Sequence, residues 1–147
     1  MRKLTTIALA LLVSTGCIIH TSDRDDVLEV DVPMVDTNYS PIVTWADAGC
    51  YYDSYYHDDV WYFEADVDDY DGPLDVVQVW ADVYDEWDGS FIESFELYPT
   101  DDPYLWYSDW LGSSTWLDCW YNNYSVDIVA YDTWDDYDYL TIWANTY

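Results

Sequence analysis

From Pro41 onward the chain repeats one device: a short run of alternating or crowded β-branched and aromatic residues, then a cluster of Asp, Gly, Pro or Asn. Alternation with period two sends successive side chains to opposite faces of a strand, and the clusters supply turn chemistry. The pattern predicts an all-β domain of short antiparallel strands, because no stretch carries a helical period. Seven strands are expected, over 42–46, 60–67, 74–84, 91–97, 104–110, 124–131 and 139–144. Their inward faces predict a core of Trp61, Phe63, Ala65 and Val67; Val77, Val79, Ala81 and Val83; Val126, Ile128 and Ala130; Leu140, Ile142 and Ala144. Asp71-Gly72 and Asp88-Gly89 fall before and after the third strand, and Asp-Gly is a strong hairpin signal.

The first residues have a different design. Arg2 and Lys3 precede an apolar run, Ile7 to Val13, that is too short to span a bilayer and has the layout of a secretory leader. The following Ser14-Thr15-Gly16-Cys17 resembles a bacterial lipobox, with Ser14 where that family usually has Leu or Val. The resemblance implies a signal peptide over 1–16 and a lipid on Cys17; the polar residues that follow, with Pro33 among them, read as a tether over 17–40 ahead of a folded domain over 41–147. Within the tether, Val27 to Val32 alternates briefly, as an added edge strand would. Ordinary leader cleavage would leave three cysteines in an oxidising compartment, an odd number; lipidation uses Cys17 and leaves Cys50 and Cys119 to pair. Ile18, not Asp, follows Cys17, which by the usual bacterial sorting rule implies the outer membrane or cell surface, reached through the lipid anchor.

Charge narrows the partners. The formal net charge is −28, and without residues 1–16 a single basic residue, Arg24, faces 31 acidic ones. Nucleic acid is excluded, since affinity for phosphate backbones comes from Lys and Arg. An anionic bilayer surface repels such a domain, so attachment rests on the lipid. Disorder is opposed by a composition 51% hydrophobic and 20% aromatic. Asp outnumbers Glu 26 to 5, which favours turns and oxygen-ligand loops over a uniformly salt-adapted surface.

The pattern from Val60 to Tyr84, a strand ending in Asp66-Val67-Asp68-Asp69-Tyr70-Asp71-Gly72 followed by Leu74-Asp75-Val76-Val77-Gln78-Val79, resembles the region between the second and third strands of bacterial surface domains with immunoglobulin-like or cadherin-like folds. It covers about a sixth of the chain and implies an immunoglobulin-like β-sandwich of about seven antiparallel strands. In that topology Cys50 and Cys119 lie in loops of one pole and form a disulfide. Three acidic loops meet at the other pole: Asp66, Asp68, Asp69 and Asp71; Asp101 and Asp102; Asp132, Asp135, Asp136 and Asp138. Two readings stand for them. Either they are solvated turn residues, or Asp66, Asp68, Asp69, Asp71, Asp132, Asp135 and Asp136 hold calcium. Residues 66–72 also resemble the helix-flanked calcium loop, but with Tyr70 at a ligand position and Asp71 where Gly is needed.

Residues out of phase with the core put Trp80, Tyr84, Tyr131 and Trp143, with Val129 and Tyr139, on one outer sheet face among Gln78, Asp82, Asp127 and Asn145. Such a face suits cross-strand stabilisation, a protein partner, or sugar rings that stack on aromatics. Catalysis has no constellation: His20 and His57 lack a nucleophile partner, and Glu64, Glu93 and Glu96 carry no mark of a general acid. The sequence therefore predicts a non-catalytic, lipid-anchored envelope domain with a binding or structural role. A glycan-binding module is the alternative.

Overall fold

Each alternating run becomes a strand in the structure, a computed structural model that describes residues 37–147. The leader, Cys17 and the alternation at Val27 to Val32 lie outside the described residues. The strands are β1 (Ile42–Asp53), β2 (Asp58–Asp68), β3 (Val76–Asp85), β4 (Ser90–Pro99), β5 (Leu105–Leu111), β6 (Tyr124–Asp132) and β7 (Tyr137–Trp143). They form an antiparallel sheet in the order β1-β2-β5-β4-β3-β6-β7. A single 3-10 turn, Gly112–Ser114, is the one helical element among the described residues.

The pairing is uneven. Long ladders join β1, β2 and β5 into one group and β4, β3, β6 and β7 into another. Only Tyr98↔Tyr107 and Pro99↔Trp106 connect the groups through β4 and β5. A second seam lies at the far edges, where Cys50 N donates to Asn145 O (2.9 Å) and Asn145 N to Ala48 O (2.8 Å). Gly49 is required there: a Cβ on it would sit 2.7 Å from the Asn145 carbonyl oxygen. Between the groups, Phe63 of β2 stacks on Phe95 of β4 with centroids 4.7 Å apart, and Trp61 meets Tyr124 of β6 edge-on at 5.7 Å. Strands that are not ladder neighbours thus share one core, which buries the expected residues of β2 and β6 together with Phe95, Leu97 and Trp106.

Four expectations are corrected. Val77 is 48% exposed and Val76 is buried in its place, because β3 passes from Val76↔Asp132 to Gln78↔Tyr131 and extrudes the residue between. Leu140, Ile142 and Ala144 are half-buried against the core, since β7 ends the strand order. Asp88-Gly89 closes the β3–β4 hairpin, with Gly89 at φ 70°, but Asp71-Gly72 turns a crossover between strands of different groups. Cys50 pairs with Cys119 across a Cα–Cα distance of 5.7 Å, yet only Cys119 is in a loop. Cys50 belongs to β1, which stays paired with β2 as far as Asp53↔Asp58.

Candidate functional site

The β2–β3 connection is built from its own acidic side chains. Asp68 Oδ1 accepts from Asp69 N (2.9 Å), and Asp69 Oδ1 accepts from Asp71 N (2.8 Å). Asp69 O then takes Gly72 N (3.0 Å), with Gly72 at φ 116°, and Gly72 O takes Asp75 N (2.9 Å). This winding brings one carboxylate oxygen each from Asp69, Asp71 and Asp75 within 4.8 Å of one another. Charges at about 4 Å repel by about 1 kcal/mol in bulk water and several-fold more where water is excluded. Asp69 is in the second situation, being 4% exposed with no partner for its Oδ2 among the described residues. Trp61 Nε1, Trp106 Nε1 and Ser108 Oγ are also buried without partners, but none of these carries charge. Burial, followed by the charges of Asp75, Asp71 and Asp132, holds the Asp69 carboxyl above the usual range despite the Asp71 N–H.

The β6–β7 turn packs beside this loop. Asp132, 1% exposed, accepts from Trp134 N (2.7 Å) and Asp136 N (2.9 Å) on Oδ1 and from Asn38 Nδ2 (2.7 Å) on Oδ2. Burial works to raise this carboxyl, but the bonds from Asn38, Trp134 and Asp136 together hold it below the usual range. Asn38 Nδ2 also donates to Asp136 Oδ2 (2.9 Å), Tyr39 N to Asp71 Oδ2 (2.8 Å), and the Thr133 hydroxyl to Asp75. A cleft of about 370 Å³ opens here, lined by Thr37, Asn38, Asp71, Leu74, Asp75 and Trp134.

The expected metal set is thus redistributed. Asp69 and Asp71 come together with Asp75, which the sequence reading had placed inside the third strand. Asp132 stands behind them, Asp136 binds Asn38, and Asp135 is exposed at φ 64° in the turn. Asp66 and Asp68 line a separate groove with Asp102, Thr44 and Tyr104. Asp101 borders an apolar groove at Pro73 and Leu74, and Asp138 accepts from Val43 N (3.1 Å). The signal for Asp75 was Gly72-Pro73, which prolongs the loop since proline cannot donate to a ladder.

β3, β6 and β7 lie side by side, while Asn145 falls beyond β7 in the seam with β1. Register places Trp80, Val129 and Tyr139 in one row, Asp82, Asp127 and Thr141 in the next, and Tyr84, Ser125 and Trp143 in the third. Trp80, Tyr84 and Tyr131 are half-buried, while Tyr139 and Trp143 are exposed. Tyr131 leans on Tyr137, with centroids 5.7 Å apart, and Tyr84 meets Phe91 of β4 edge-on at 5.6 Å. Between the aromatic rows the opposed Asp82 and Asp127 each accept a hydroxyl, from Ser94 (2.5 Å) and Thr141 (2.6 Å). Elsewhere His57 is exposed in the β1–β2 turn, and Glu93 is engaged by Trp116 N (2.9 Å). No protein-family model, curated protein or solved structure matches the chain.

Proposed function

We propose that the chain is a lipid-anchored, immunoglobulin-like sandwich domain of the cell envelope with a binding or structural role and no catalytic activity. The observation that carries this reading is the Cys50–Cys119 disulfide: it uses two of the three cysteines and leaves Cys17, at the end of the apolar leader, for the lipid. A loop spanning 69 positions gains about 4 kcal/mol from such a link in the loop-entropy picture, and the bond suits an oxidising compartment. The strand order supports the fold, with one departure from antibody constant domains: the fourth strand runs mainly beside the third and reaches the fifth by only two residue pairs.

The test is labelling of the full chain with a radioactive fatty acid in a Gram-negative host. Label should enter the wild type, sediment with outer membranes, and disappear in Cys17→Ser; a labelled Cys17→Ser protein contradicts the anchor.

A glycan-binding role is the second reading, favoured by one arrangement. The hydroxyl-bonded carboxylates Asp82 and Asp127 lie between the rows headed by Trp80 and Tyr84, a polar strip between flat rings that suits a sugar. A glycan array on the purified chain separates it from a protein-binding role.

A further inference from the structure

We propose that Asp69, Asp71 and Asp75 form a binding site for a divalent cation of the calcium class. Two observations carry the proposal independently of the lipid anchor. The first is the meeting of three carboxylate oxygens within 4.8 Å. Oxygens bound to one calcium at about 2.3–2.6 Å lie at most about 5 Å apart, so the three fit a single shell, whereas magnesium at about 2.0–2.1 Å requires a tighter set. The second is the Oδ2 of Asp69, unpartnered among the described residues, on a residue only 4% exposed in the same cluster. A buried acceptor is ordinarily satisfied by a donor or an ion.

The described residues offer no Lys or Arg as countercharge. No Lys or Arg follows Arg24, and His57 lies at the opposite end of β2 from Asp69. The donor set is oxygen only, which selects a hard cation over zinc or copper. Water completing the shell has access through the cleft beside Asp71 and Asp75. Asp71 Oδ2 also accepts from Tyr39 N, so the ion shares a ligand with the residues that enter the domain.

Trp134 lines that cleft and provides a reporter. Terbium, an oxygen-seeking stand-in for calcium, should show tryptophan-sensitised emission when titrated into the full chain in detergent with its disulfide intact. The expected result is saturation at one ion per chain and displacement by calcium at concentrations at least tenfold below those of magnesium. Asp75→Asn, which keeps an oxygen for Thr133, should weaken calcium competition at least tenfold. Asp101→Asn with Asp102→Asn, in a loop outside the cluster, should leave it unchanged, and Trp134→Phe should dim the emission without changing calcium competition. Equal displacement by calcium and magnesium, or a titration unaffected by Asp75→Asn, overturns the proposal.

Discussion

Two buried aspartates lie at one end of this domain, one in a loop and one at the end of a strand, and the fold treats them oppositely. Asp132, the last residue of β6, takes three hydrogen bonds and has its carboxyl lowered. Asp69, in the β2–β3 loop, takes one, leaves an oxygen bare and has its carboxyl raised among like charges. A carboxylate satisfied by two backbone N–H groups and an asparagine is a structural joint, stabilising as it stands. One left short of donors beside two other carboxylates is tolerable to the extent that something outside the chain completes it.

The largest effect should come from dismantling the satisfied member. Asp132→Ala leaves the Trp134 and Asp136 amides and the Asn38 side chain without their acceptor, and a melt should show a loss of about 3 kcal/mol or more. Asn38→Ala removes the one donor that comes from outside the two loops and should cost about 1.5–3 kcal/mol, the range for a bond to a charged group. It should also move acid unfolding. Because the folded Asp132 carboxyl lies below its ordinary value of 3.8, its contribution is present above that value and is lost as pH falls through the depressed one. Without Asn38 the loss should begin at higher pH in an acid titration followed by tryptophan fluorescence. An unmoved midpoint would mean that the two backbone N–H groups suffice.

The same contrast explains what could be read from the sequence. Period-two alternation located all seven strands, since burial of one face dictates it. The C-terminal half of β1 escaped because Ala48 and Gly49 are buried and Cys50 half-buried at the Gly49–Asn145 seam, a contact between chain segments far apart in sequence. Val77 was misplaced by a bulge that alternation does not record. At the acidic end the crowd of aspartates was visible, but its division was not. Which carboxylate receives donors depends on Asn38, read as tether, and on the winding at Gly72-Pro73 that carries Asp75 to Asp69. The aromatic rows of β3, β6 and β7 were legible because one register sets them all.

A smaller effect, of opposite sign, decides the matter. Thermal melts of the wild-type chain, Asp69→Asn and Asp132→Asn, each with a chelator and then with millimolar calcium against magnesium at equal ionic strength, compare the two aspartates directly. With chelator, Asp132→Asn should melt below the wild type. Asp69→Asn should melt at or above it, because a repelled and unsatisfied charge has been removed. Calcium should raise the wild type and Asp132→Asn beyond the effect of magnesium, since an ion that binds only the folded state adds RT ln(1 + [L]/Kd), about 2.7 kcal/mol at a hundredfold excess over Kd. It should leave Asp69→Asn where magnesium leaves it. If Asp69→Asn is instead destabilised with chelator as strongly as Asp132→Asn, or retains the full calcium response, the two aspartates do the same work and the account of this pole is wrong.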